Sequence, residues 1–384
     1  MSDSSTEEAQ DLALYTGAPQ HHNFCHMMDL FPSREMAASD IPVDWPAGTD
    51  IALPATFEFD GRQRPAAAFM ADTDTSALLV LQNGKVRFEG YYLTGGRDVA
   101  WISWSMAKSF VSALVGVAIG EGLIGSIDES ISDYVPKLTG SAYDGVAIKH
   151  VLAMSSGARW SEDYSDPDAD VHKLSAVMAG ANTLDNFVAG MQRDRAPGTL
   201  CQYNSADTQA LGMLLAHATG RDIADYMQRK LCAPLGMTKP GYWLLDTAGR
   251  ELALGGLCMT ARDFAKIGEL FRNHGIFADQ QILPADWVAT STKPTGDHQQ
   301  AGKVIVGGHV LPLGYGDQWW VPAGNRGEFS AIGVYNQFVF VDPSRDAVVV
   351  KLSANRAYGT SPDEAVNREM ETVEFLRAVC AQLD

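Results

Sequence analysis

The chain is 384 residues long, 46% hydrophobic, and carries a formal net charge of −18. That much apolar material can bury one large core or two intimate ones, and the acidic balance argues against nucleic acid or an anionic membrane as partner. Cys25, Cys201, Cys232, Cys258 and Cys380 are odd in number and far apart, so neither a disulfide framework nor a metal set is expected. The start, Met1-Ser2-Asp3-Ser4-Ser5-Thr6-Glu7-Glu8, is acidic and polar where a secretory leader is basic and then apolar. No later run reaches transmembrane length, and a cytoplasmic protein is expected.

Residues 1–70 are rich in Pro, Asp and small residues and read as an irregular arm packed on the surface. His21, His22, Cys25 and His26 fall within it, but no second Cys/His pair completes a zinc site. From Ser76 to Leu93, apolar runs flank Asn83-Gly84, the signature of a hairpin. Ser105-Met106-Ala107-Lys108 then opens a segment that is apolar almost all round, as in a helix buried between layers, with Gly120 and Gly122 as its stop. Residues 126–290 read as mainly helical. Ile148 to Ser156 is a short helix ended by Gly157, and Thr260-Ala261-Arg262-Asp263 is a capping box ahead of the apolar face Phe264, Ile267, Leu270 and Phe271. Beyond residue 300 the pattern returns to strands, with Gln337–Val341 and Ala347–Leu352 joined through Asp342-Pro343-Ser344-Arg345. A helix from Glu364 to Leu383 is expected last. Sheet, helices, sheet implies an α/β (α+β) domain built from residues 71–125 and 291–384, with a helical domain inserted at 126–290.

A serine hydroxyl attacks a carbonyl at neutral pH only with a base in hydrogen-bond reach and donors aimed at the oxyanion. With Ser105 in the first helical turn, Lys108 falls at i+3 on the same face, its amine beside the hydroxyl. The helix N-terminus adds unpaired N–H groups and the positive end of the macrodipole. The spacing alone suits equally a serine that caps a buried helix and a lysine that snorkels to solvent. The downstream triplet Tyr203-Asn204-Ser205 favours the catalytic reading.

Together these segments resemble the serine β-lactamase and penicillin-binding-protein superfamily, on its class C and carboxylesterase side. His150-Val151-Leu152-Ala153-Met154-Ser155-Ser156-Gly157, Pro197-Gly198-Thr199-Leu200 and Gly255-Gly256-Leu257 follow in that superfamily's order, and the likeness runs from about residue 75 to the end. Trp160 to Pro167, Gln318-Trp319-Trp320 and Gly324-Asn325-Arg326-Gly327 look most like the 6-aminohexanoate-dimer hydrolases, serine amidases of short nylon oligomers. The resemblance implies a β-lactamase-like fold, an antiparallel sheet flanked by helices with an inserted helical domain. It also implies an acyl-enzyme route on a small amide or ester, with no metal or organic cofactor. A monomer or homodimer is expected.

Carried over by the same resemblance, Ser105 is the nucleophile and Lys108 and Tyr203 share the acid and base work. The N–H groups of Ser105 and Val334 form the oxyanion hole, Tyr164 contacts the scissile amide nitrogen, and Trp320, Ile332 and Gly333 line the substrate site. Lys293-Pro294-Thr295-Gly296 mimics the family's third motif but sits in a polar loop, whereas Ala331-Ile332-Gly333-Val334 precedes a β-run and is the better match. Ala331 lacks the charge that binds a β-lactam or peptide carboxylate, so strong β-lactamase or D,D-carboxypeptidase activity is not expected. Ser175 or Lys173 stands where an acid would meet a substrate amine, and Leu254 replaces an asparagine, so efficient cleavage of the aminohexanoate dimer is not expected either. The alternatives are a carboxylesterase with little amidase activity and a penicillin-recognising sensor that does not turn over.

Overall fold

Asn83 and Gly84 both adopt left-handed backbone, at φ 49° and 67°, and turn strand β1 (Thr75–Gln82) into β2 (Lys85–Tyr91). A turn of that hand follows the natural twist of two antiparallel strands. In this computed structural model, which describes residues 12–384, the rest of the main sheet comes from the other end of the chain. Its strands are β3 (Leu313–Tyr315), β4 (Trp320–Pro322), β5 (Phe329–Gly333), β6 (Gln337–Asp342) and β7 (Ala347–Ser353). The order across the sheet is β3-β4-β5-β6-β7-β1-β2, with every pair antiparallel.

The longer helices are α1 (Ala107–Gly120), α2 (Ser205–Thr219), α3 (Ala261–Arg272) and α4 (Glu369–Cys380). Successive strand residues point to opposite faces, and the sheet uses both. Leu79, Leu81, Val339, Val341, Val348 and Val350 join one core with Phe110 of α1 and Phe264 and Ile267 of α3. Leu78, Val80, Phe338, Phe340 and Val349 join a second with Val373, Leu376 and Val379 of α4. Burial on both faces is why β6 and β7 read as continuous apolar runs rather than alternating ones. Gly268 sets the approach of α3 to the sheet, since a Cβ there would lie 2.6 Å from Val348 Cγ1 and 2.9 Å from Val339 Cγ1.

Residues 12–70 carry more structure than an irregular arm. Ser33–Met36 pairs antiparallel with Gly241–Leu244, and Leu257–Met259 and Trp101–Ile102 extend these into a four-stranded second sheet. Four residues are too short for a period-2 signal, and the partner strand lies some two hundred positions away, so composition alone could not reveal the pairing. The acidic start Met1 to Glu8 lies outside the described residues. Two expected helices end differently. Met154, at φ 52°, lies past a helix that closes at Leu152, and Arg368, at φ 56°, separates a 3-10 turn (Glu364–Val366) from α4. Among the described residues no helix is long and apolar enough to cross a membrane, and no group of His, Cys, Asp and Glu is arranged to hold a metal ion.

Candidate active site

Ser105 sits in a 3-10 turn, Trp104–Met106, that runs directly into α1. Trp104 has φ 45°, a conformation costly for a bulky side chain and typical of backbone held taut at a functional turn. Strand β5 ends against this turn. A Cβ on Gly333 would lie 2.5 Å from Ser103 O and 3.1 Å from Ser105 N, so only glycine lets the strand come close enough to set Val334 beside the serine.

Lys108 is buried, with 1% of its surface exposed, and its Nζ spans three oxygens. It lies 2.8 Å from Ser105 Oγ, 3.1 Å from Ser205 Oγ and 2.7 Å from the carbonyl of Leu254. Burial pushes its amine down to about 7, against the opposing pull of Glu162. The Leu254 contact is made by backbone, so the amine is held at this position whatever side chain stands there.

Tyr203 precedes Asn204, whose side chain caps α2 by accepting from the N–H of Ala206. Its own N–H donates to Ile305 O at 2.8 Å, and its ring stacks on Trp320 with centroids 5.1 Å apart. Lys108 Nζ lies 5.2 Å from the ring centroid. Burial, reinforced by the Glu162 charge, holds the phenol protonated well above its ordinary range, with a hydrogen bond to Ser105 acting the other way.

The residue that sequence reasoning missed is Glu162, a carboxylate only 1% exposed. It accepts from Ser205 Oγ at 2.5 Å, Ser205 N at 3.0 Å, Tyr164 Oη at 2.7 Å and the Trp160 indole. These bonds satisfy the buried charge and link the Trp160–Tyr164 segment to Ser205, the neighbour of Lys108. The signal available was alternation: in an extended segment Trp160, Glu162 and Tyr164 share one side. Asp207 was missed too. It accepts from Tyr143 Oη, Ser156 Oγ and Asn204 Nδ2, so the His150–Gly157 segment is tied to the start of α2 and to Tyr203.

Two cavities meet at Ser105. The larger, of about 100 Å³, is lined by Leu12, Tyr15, Met27 and Phe31 from the N-terminal segment and by Leu174, Leu252 and Leu254. Among the described residues no acidic or basic side chain lines it. The smaller, of about 20 Å³, is lined by Tyr203, Trp320, Ile332, Gly333 and Val334, and Tyr164 borders both. Every residue expected at the site therefore lies around Ser105. Ser175 lines the larger cavity with its hydroxyl given to Val171 O, whereas Lys173 pairs with Asp170 at the surface. Lys293–Gly296 follows the helix Ala285–Ser291 as a loop and lines neither cavity.

A serine hydrogen-bonded to a desolvated lysine, with a tyrosine from a neighbouring helix cap, lies between an antiparallel sheet and its covering helices, and that fold places the chain in a hydrolase family of the β-lactamase type. The chain belongs to the Beta-lactamase family, whose model matches residues 62–373. It is similar to the 6-aminohexanoate-dimer hydrolase of Paenarthrobacter ureafaciens, with 31% identity over 293 residues and 74% of each chain covered. Solved structures agree on the fold. A Bacillus anthracis protein provisionally assigned as a 6-aminohexanoate-dimer hydrolase superposes with a TM-score of 0.81 at 22% identity, covering 93% of both chains. EstCE1, a hydrolase with promiscuous acyltransferase activity, gives 0.63 at 18% identity, covering 82% of this chain and 96% of its own.

Proposed function

We propose that the protein cleaves small amides or esters of uncharged, apolar acyl groups through an acyl-enzyme on Ser105. The observation that carries this is the 2.8 Å contact between Ser105 Oγ and a lysine whose burial leaves much of its amine neutral near pH 7. Lys108 takes the hydroxyl proton as Ser105 attacks the carbonyl carbon, and the N–H groups of Ser105 and Val334 hold the resulting oxyanion. The intermediate collapses by breaking the bond to the leaving group, which takes a proton from Tyr203. Lys108 passes the proton it took to the phenolate of Tyr203, which restores both groups. Water then attacks the acyl-enzyme as Lys108 takes a proton from it, and collapse frees the acid while that proton returns to Ser105 Oγ.

The division of labour follows from burial. Desolvation lowers the pKa of an amine and raises that of a phenol, so near neutral pH Lys108 is available as a free base and Tyr203 is protonated, the forms that base and acid work require. Tyr164 completes the reading. Its hydroxyl hydrogen is committed to Glu162 at 2.7 Å, which leaves the oxygen lone pairs to accept from a scissile amide N–H. An ester has no such hydrogen. Tyr164→Phe is expected to lower kcat/KM for an alkyl amide about tenfold, the worth of one good hydrogen bond, and to leave the matched ester near wild type. Equal effects on both would remove the amide preference from this residue.

The reading is tested by intact-protein mass spectrometry after quenching the enzyme in p-nitrophenyl hexanoate. A hexanoyl adduct on the peptide that bears Ser105, decaying at the rate of turnover, is the expected result. An adduct that forms and never clears would make the protein a sensor, and an adduct elsewhere would displace Ser105 as nucleophile.

A further inference from the structure

The smaller cavity carries a feature that the chemistry above does not use. Four aromatic side chains border it, Tyr164, Tyr203, Trp320 and Tyr358, together with one carboxyl, that of Glu369. Glu369 is the first residue of α4 and accepts a hydrogen bond from Tyr358 Oη. Among the described residues no Lys or Arg pairs with it. Arg368, next in the chain, pairs instead with Glu371 and Asp72, and the charge that acts on Glu369 is another carboxylate, Glu364. Burial, joined by that repulsion, pushes its carboxyl up to about 7, as expected for an acid that lacks a positive partner.

Aromatic faces are electron-rich, and a set of them around a carboxylate is a recognition site for ammonium groups. The direction of the reaction says which part of the substrate lies there. Tyr203, the donor to the leaving group, borders the smaller cavity and not the larger one. The acyl chain therefore occupies the larger cavity, apolar among the described residues, and the departing amine or alcohol lies toward Glu369.

Building on the acyl-enzyme reading, we propose that the leaving group of the preferred substrate bears a cationic ammonium, received by Glu369 and the rings of Tyr358 and Trp320. The charge layout is the reverse of a 6-aminohexanoate dimer, which carries its ammonium on the acyl part and its carboxylate on the leaving part. Such a dimer would set an ammonium in an apolar cavity and a carboxylate against Glu369. At about 20 Å³ the smaller cavity has room for one water molecule, so a cationic head displaces that volume as Val306, on the Ile305–Val310 hairpin, gives way. The net charge of −18 draws cations toward the protein as a whole.

The test uses three esters with one acyl group: hexanoylcholine, its neutral isostere 3,3-dimethylbutyl hexanoate, and the anionic 3-carboxypropyl hexanoate. All pass through the same hexanoyl-enzyme, so a difference in kcat/KM arises while the leaving group is still bound. The cation is expected to exceed its isostere by about tenfold, with the anion below both. Glu369→Gln is expected to bring the cation-to-neutral ratio toward one. A wild-type ratio near one, with p-nitrophenyl hexanoate still turned over, would overturn the proposal while leaving the hydrolase standing. No turnover of p-nitrophenyl hexanoate would remove both. An unchanged ratio in a folded Glu369→Gln protein would overturn the role of this carboxyl. Should that variant fail to fold, the wild-type order of the three esters still decides.

Discussion

Lys108→Met is expected to lower kcat/KM for p-nitrophenyl hexanoate about 10³-fold or more, the size of losing a positioned general base. Methionine keeps the length of the side chain and adds no charge, so the hydroxyl of Ser105 stays in place but has nothing to receive its proton. The sharper signature is in pH. In the wild type the lysine must be neutral to act, and burial puts that loss of a proton at about 7. The rate constant should fall about tenfold for each pH unit below that value and level off above it. Lys108→Met should abolish this limb as well as the rate. A surviving limb of unchanged midpoint would assign it to another buried group, and a melting temperature near wild type would show that the loss is catalytic. Removing an amine from the interior relieves its desolvation, so a large loss of stability is not expected.

Tyr203→Phe should separate two kinds of substrate. An alkyl amide cannot expel its amine without a proton, and its kcat/KM is expected to drop about 10²–10³-fold when the phenol is removed. A p-nitrophenyl ester releases an anion that is stable in water, so its acylation should fall only a few-fold. The contrast follows from the environment of the phenol, since burial and the Glu162 charge keep it protonated, so it has a proton for a leaving amine and no phenolate with which to abstract one. If both substrates lose the same large factor, Tyr203 works on the serine itself, and the assignment of Lys108 as the base is wrong.

Local chemistry was readable from the chain, and distant convergence was not. Ser105 and Lys108 are one helical turn apart, so a spacing rule finds them. The β1–β2 hairpin declares itself through Asn83-Gly84, and Gly333 through the strand run that follows it. Tyr203 was found by likeness to a family, since nothing in its own neighbourhood separates it from a core tyrosine. Glu162 is a different case. An acid beside Asp163 in a polar stretch reads as solvated, and only the approach of Ser205 from α2 turns it into the hub of the site. Trp104 illustrates a further limit. A tryptophan gives no sign in sequence of left-handed backbone, because the strain is imposed by what packs around it, here Phe24 and Tyr335.

The segment that walls the acyl cavity has a bearing on how such a hydrolase diversifies. Leu12, Tyr15, Met27 and Phe31 precede the catalytic turn by more than seventy positions and rejoin the body through the short strand at Ser33–Met36. On the proposed reading, chain-length preference is thereby encoded in a stretch that contributes none of the reacting groups. It can be exchanged between homologues, or randomised in a library, while the serine, lysine and tyrosine are inherited intact.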